Sequence, residues 1–173
     1  MTIEKKENLF LFEQKACRRF VFYRNEKYFI SIPPIRFRLN YEKLNGKYFF
    51  KTLFGFIFLN GKYFNIPLRN INNAGVICLG SILSEDVICD NAYDLIHNSM
   101  NIFWKSSFED CAFGRSHRLY KEKGKFICSL QLWEEKTKED KNWVPSEEDL
   151  IEFNEKNNGS SFSFKIIENF KKD

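Results

Sequence analysis

The segment Leu44-Asn45-Gly46-Lys47-Tyr48-Phe49 recurs as Leu59-Asn60-Gly61-Lys62-Tyr63-Phe64. Asn-Gly flanked by apolar and aromatic residues is the strongest short hairpin signal, because a type I′ turn needs positive φ at both central positions. Two copies predict a β-meander with two similar tight turns. Turn chemistry accounts for their likeness; a duplicated binding motif is the alternative reading.

The residues before and between the copies agree with a meander. Leu9–Phe12, Arg19–Tyr23, Tyr28–Ile32 and Ile35–Leu39 are short aromatic and aliphatic runs that read as strands. A turn is expected at Asn25-Glu26. Pro33-Pro34 separates the third run from the fourth, since proline has no N–H to give a ladder. Tyr48–Lys51 and Phe54–Phe58 read as two further strands. The chain holds 20 Phe, and phenylalanine combines strand propensity with a large apolar surface, so the core is expected to be a sheet filled with Phe.

Beyond Ile66 the pattern changes. Residues 67 to 80 lack periodicity, hold Pro, Asn and Gly, and predict an extended, loop-like segment. A helix capped by Asp90 is expected to run to about Lys105, with Tyr93, Ile96, Met100, Phe103 and Trp104 on its core face. Phe126–Trp133 reads as a strand. Glu134–Asn142 is a charge run, read as a solvated loop or frayed helix. A further helix is expected over Glu147–Lys156, with Ser146 and Asp149 at capping-box spacing and Asn158 or Gly159 as its stop. Lys171–Asp173 reads as a mobile tail. The order gives an α+β class with helices packed on an antiparallel sheet, in a single domain over residues 1–173. Its core is placed at about 9–110, and 111–173 is read as a C-terminal strand and helix extension.

Composition narrows the function classes. A chain of 173 residues buries a sizeable core without disulfides or metal. A net charge of +4, with both signs interleaved through most of the sequence, argues against nucleic acid as the main partner. The five cysteines, at 17, 78, 89, 111 and 128, form no C-x-x-C pair, and the two histidines, His97 and His117, are too few for a zinc cluster. No metal or organic cofactor is implied. The strongest apolar run, Leu53–Leu59, is far too short to span a bilayer, and Met1–Asn8 has no apolar leader-like stretch. The expectation is a cytoplasmic protein with free thiols and no membrane partner.

One stretch suggests chemistry: Asn70-Ile71-Asn72-Asn73-Ala74-Gly75-Val76-Ile77-Cys78-Leu79. It resembles the active-site segment of the ubiquitin-conjugating enzymes. There a His-Pro-Asn-Ile motif precedes a turn with Gly and then Ile-Cys-Leu, whose Cys forms the thioester. Asn70 and Ile71 match the Asn-Ile half, Gly75 the turn, and Ile77-Cys78-Leu79 the nucleophile segment. Leu68 and Arg69 stand where that family has His and Pro. The pattern is more similar to a prokaryotic family that includes protein B of the PRTRC system, a divergent relative lacking the His. Pro33-Pro34, Ile66-Pro67-Leu68-Arg69-Asn70 and Gly75-Val76-Ile77-Cys78-Leu79-Gly80 carry that likeness, which covers about residues 28 to 110.

The resemblance implies a ubiquitin-conjugating-like fold and a cysteine acyl carrier. Cys78 would take the C-terminus of a ubiquitin-like modifier from a ThiF-type activating enzyme and pass it to an amine. A JAB-type peptidase is a further implied partner. An ordinary thiol, with a pKa of about 8.5, already holds a small thiolate fraction near neutrality. Transfer to the amine passes through a tetrahedral oxyanion, which a fixed amide N–H can stabilise. The resemblance gives that role, or that of holding the loop, to Asn70, and makes Gly75 and Gly80 the supporting loop glycines. Asp110 is a candidate acid near the site.

Each of these residues also has a plainer reading. Cys78 between Ile77 and Leu79 can be a core residue, and Asn70 can shape an Asx-turn. Cys89, ahead of the expected helix, is a candidate low-pKa thiol or a packing residue, and Cys17, Cys111 and Cys128 read as core or neutral. His117, between Arg115 and Arg118, is a candidate contact for a carboxylate or part of a solvated loop. Two rival functions follow. One is a non-catalytic module of the same fold that binds a ubiquitin-like protein or partner. The other is an aromatic sheet, with pairs such as Lys47-Tyr48 and Lys62-Tyr63, that stacks single-stranded nucleic acid.

Overall fold

The computed structural model describes residues 3–6, 8–79, 87–106 and 115–153. It is α+β, with two antiparallel β-sheets and three α-helices among the described residues. The larger sheet runs β1 (Ile3–Lys6), β2 (Leu9–Gln14), β5 (Ile35–Leu44), β6 (Lys47–Leu59) and β7 (Lys62–Phe64). Two short strands, β8 (Val76–Ile77) and β9 (Ile88–Cys89), add to β6. The second sheet is a hairpin, β3 (Cys17–Tyr23) with β4 (Glu26–Ile32), inserted between β2 and β5. The meander is therefore not consecutive: β2 pairs with β5, and the hairpin stands off the path.

The repeated Asn-Gly pairs form the turns they signal. Asn45 and Gly46 take φ of 51° and 80°, Asn60 and Gly61 take 49° and 80°, and the strands on either side pair at once as Leu44↔Lys47 and Leu59↔Lys62. The first hairpin turns one residue earlier than the sequence suggests. Arg24 and Asn25, not Asn25 and Glu26, carry positive φ, and Glu26 already pairs with Tyr23. Asparagine tolerates that conformation, and its neighbour is carried along by the twist that type I′ turns match.

Tyr48–Lys51 and Phe54–Phe58 belong to one long strand, β6. Its pairing with β5 slips at Asn40/Tyr41, where Asn40 faces Thr52 and Tyr41 faces Phe50. Lys51 is the extra residue, and the slip flips the side-chain phase. Before it the buried positions facing the main core are Tyr48 and Phe50; after it they are Leu53 and Ile57. The alternation breaks in the sequence because the strand bulges, not because it ends.

The sheet buries both faces. Phe10, Phe12, Phe37 and Leu39 point into the main core, which α1 (Ala92–Lys105) covers through Leu95, Ile96 and Phe103. Leu11, Phe54, Phe56 and Tyr63 form a second cluster on the other face, against Phe153. Each phenylalanine so buried contributes about 1.5 to 3 kcal/mol of transfer free energy. The Phe-filled sheet read from the sequence is thus the core that forms.

The helical regions bring corrections. Asn91 caps α1, accepting the N–H of Asp94 at 2.9 Å, so Asp90 is not the cap. Of the expected core face, Ile96, Phe103 and Trp104 are buried and Met100 packs against the core, but Tyr93 is 63% exposed and stacks on His97; Leu95 and Ser99 complete the buried stripe. Phe126–Trp133 is not a strand. A 3-10 turn, Phe126–Cys128, leads through the cap Ser129 into α3 (Leu130–Glu139), and burial of Trp133 and Thr137 follows the i, i+4 period of a helix. The charge run Glu134–Asn142 begins as the rest of α3.

Residues 147 to 153 are not helical. Asp149 does accept both the N–H and the hydroxyl of Ser146, at 2.8 and 3.1 Å, but the bonds close a turn. Leu150 and Ile151 are both buried, and the chain runs on extended beside β7: the N–H of Asn65 donates to the Ile151 carbonyl at 3.0 Å, the N–H of Phe153 to the Tyr63 carbonyl at 2.8 Å, and Phe64 bridges to Glu152. The rest of that expected helix and the C-terminal tail lie outside the described residues.

Candidate functional site

Residues 70 to 78 are not an open loop. They fold back on themselves as a small hairpin. The N–H of Cys78 donates to the carbonyl of Asn70 at 2.8 Å, Ile71 bridges to Ile77, and the N–H of Asn72 donates to the carbonyl of Val76 at 3.1 Å. The side chain of Asn72 closes the tip: its Oδ1 accepts the N–H groups of Ala74 and Val76, both at 2.9 Å. An Asx-type bond of this kind is the local chemistry expected of asparagine. The asparagine that makes the Asx-type turn is therefore Asn72, not Asn70.

Gly75 makes the tip compact. Its φ is +77°, and a Cβ there would fall 2.3 Å from Cζ of the fully buried Phe56. Its carbonyl accepts the N–H of Gly55 at 2.9 Å, and β8 pairs Leu53↔Ile77 and Phe54↔Val76. The hairpin is therefore bolted onto the centre of β6. On its other side Ser116, at the start of α2 (Arg115–Glu122), donates its N–H to Ile71 and its hydroxyl to Ile66, at 3.2 and 2.6 Å.

Cys78 is a free cysteine and as a residue only partly buried, while Ile77 and Leu79 on either side are buried. Strand alternation explains this, since neighbours of an inward-facing residue point outward. Asn70 is 3% exposed. Its Nδ2 donates to the carbonyl of Cys78 at 3.2 Å, and its Oδ1 has no hydrogen-bond partner among the described residues. The structure thus brings Cys78, Asn70 and Gly75 together. Gly80, Asp110 and Cys111 lie outside the described residues.

The other candidates are placed elsewhere. Cys89 is buried on β9, where its Sγ accepts from Asn98 at 3.5 Å. Cys17 on β3 accepts from Gln14 at 3.2 Å, and burial pushes its thiol up against the opposing pull of Arg19. His117 lies in α2, not in a loop, and its Nε2 meets the carbonyl of Cys128 at 2.8 Å. His97 is on the exposed face of α1, with Nδ1 3.1 Å from Asn101. Among the described residues, no group of three or more His, Cys, Asp or Glu is placed to hold a metal ion, and no helix is long and apolar enough to cross a membrane.

Comparison of the chain with family models, with curated proteins and with solved structures returned no match.

Proposed function

We propose that the protein carries a ubiquitin-like modifier as a thioester on Cys78 and transfers it to an amine. The single observation behind this reading is the pairing of a partly buried, free cysteine with a buried side-chain amide on the same hairpin. The order of elements also supports a ubiquitin-conjugating-like fold: an antiparallel meander, then the Asn70–Cys78 hairpin, then α1 packed on the sheet. The inserted β3–β4 hairpin is a departure from a plain meander.

In this reading the thiolate of Cys78 attacks the activated C-terminal carbonyl of the modifier, and the thiol of the activating enzyme leaves. An amine then attacks the new thioester, and the sulfur of Cys78 departs. The Asn70 amide nitrogen has two N–H groups, one of which donates to the Cys78 carbonyl; an N–H of Asn70 would have to reach the oxyanion for Asn70 to act in that step.

A specific observation favours a second reading. The Nδ2 of Asn70 is already bonded to main chain, which is what a purely structural asparagine does. In a non-catalytic module the hairpin would be a fixed surface for binding a ubiquitin-like protein. Incubation with modifier, ThiF-type activating enzyme and ATP separates the two. A carrier gives a reductant-sensitive adduct, and Cys78→Ser gives a reductant-resistant ester or none. Binding without any adduct selects the module.

A further inference from the structure

The two edges of the β3–β4 hairpin are treated differently. A two-residue turn makes Tyr23↔Glu26 a hydrogen-bonded pair, and so also Val21↔Tyr28 and Arg19↔Ile30. The alternate residues then turn their main-chain N–H and C=O outward. On β4 these are Lys27, Phe29 and Ser31, and α3 covers the last two with side chains. Glu134 accepts the N–H of Phe29 at 2.7 Å, Thr137 accepts that of Ser31 at 3.0 Å, and the Trp133 indole donates to the Ser31 carbonyl at 2.9 Å. On β3 the outward residues are Arg18, Phe20 and Phe22. Among the described residues no strand pairs with that edge, and no hydrogen bond reaches the main chain of either phenylalanine.

The side chains beside this open edge are apolar and cationic. Phe20 and Phe22 are 47% and 39% exposed, on one face of β3. The ammonium of Lys27 lies 3.8 Å from the centre of the Phe20 ring. Residues 15 to 27 hold five basic residues against one acidic, a local charge of +4 that equals the charge of the whole chain.

We propose that the β3 edge is a docking site for an extended, acidic segment of a partner protein, which adds to the hairpin as a third strand. Main-chain pairing would supply the common affinity, and alternate side chains the selection. Apolar side chains of the partner lie against Phe20 and Phe22, and its carboxylates meet Lys27, within the basic field of residues 15 to 27. A second copy of this chain is a poor occupant, because two such edges would set like charges against each other. Single-stranded nucleic acid is disfavoured too. Lys27 occupies a face of Phe20 where a base would stack, and the Phe20 and Phe29 rings are tilted by 47° against each other. The site goes beyond the thioester reading and does not depend on it. It lies near the candidate hairpin, however: Arg69, next to Asn70, sits over the Tyr23 ring at 4.3 Å.

The test uses the full chain and a fluorescein-labelled peptide of alternating glutamate and isoleucine, read by anisotropy. Saturable binding is expected, weakened about tenfold or more by Lys27→Glu and by the double variant Phe20→Ser/Phe22→Ser. Lys43→Glu, at an exposed cation beside Tyr48 in the larger sheet, is expected to leave it unchanged. N-methylating the peptide at every second residue in one phase should abolish binding, and in the other phase should spare it. Lack of binding, equal effects of both methylation phases, or equal loss in Lys43→Glu would overturn the proposal. Tighter binding of a labelled oligothymidylate, or concentration-dependent dimers broken by Lys27→Glu, would overturn it in favour of nucleic acid or of a second copy. Failure of the thioester assay alone leaves all these readouts intact.

Discussion

Asn70 and Cys78 are joined twice: the Cys78 N–H donates to the Asn70 carbonyl at 2.8 Å, and the Asn70 side-chain amide donates to the Cys78 carbonyl at 3.2 Å. The second bond fixes the main chain that bears the thiol, and it also decides what Asn70 can do. If Asn70 acts only on the loop, its loss affects folding. If its N–H turns to the oxyanion, its loss affects discharge. The carrier account predicts that Asn70→Ala still loads modifier onto Cys78 while discharge to an amine slows by about a hundredfold. Single-turnover discharge of the preloaded protein measures this. The lost bond should also lower stability by about 1 to 2 kcal/mol, read by urea unfolding.

Gly75 tests the rigidity of the same hairpin. Alanine there must keep a φ of +77° and put a methyl group into the Phe56 ring. The combined strain and overpacking should cost roughly 2 to 4 kcal/mol. The companion change Phe56→Leu should recover part of that loss, because it removes the far end of the ring. Chemical denaturation of both variants and of the pair gives the coupling.

Tyr120 ties α2 to the strand side of the core. Its hydroxyl donates to the carbonyl of Asn65 and accepts the N–H of Ile151 at 3.0 Å, and burial pushes the phenol well above its ordinary value. Tyr120→Phe keeps the ring but leaves both main-chain groups without a partner. A loss of about 1 to 3 kcal/mol is expected, with m unchanged. The m-value and midpoint from one urea titration check both parts.

Glu134 should give the fold an acid limb. Burial acts to raise its carboxyl, but bonds from Lys138 and from the Phe29 N–H outweigh it and hold the group below the ordinary 4.5. A folded value below the unfolded one adds stability above the unfolded value, and that stability is lost as pH falls through the folded one. The melting temperature should therefore fall on acidification below about pH 4.5, and Glu134→Gln should flatten that fall. Melting curves of the two proteins between neutral pH and strong acid decide it.

The strand scaffold was legible because its signals are local. Asn45-Gly46 and Asn60-Gly61 set their own φ values, the run around Phe37 alternates within a few residues, and those around Phe10 and Ile30 are short apolar runs. What the sequence hid depends on contacts between elements. The continuity of β6 is masked by the Lys51 bulge, which exists only against β5. The helix over Leu130–Glu139 forms because Trp133 and Thr137 reach Ser31, more than a hundred residues earlier. Tyr93 looks like a core residue until the rotation of α1 is set by Leu95, Phe103 and the sheet. At the candidate site, the Asn70 and Cys78 pairing follows from their spacing across a turn. The closing role of Asn72 is equally local but rests on its side-chain direction.

The carrier claim is tested most directly by a preformed thioester of a protein ending in Gly-Gly, mixed with the full chain without ATP or any activating enzyme. Intact-mass analysis should show one adduct that dithiothreitol removes, mapping to Cys78 and missing from Cys78→Ala. An adduct that persists in Cys78→Ala, or that spreads evenly over the other cysteines, would contradict the account.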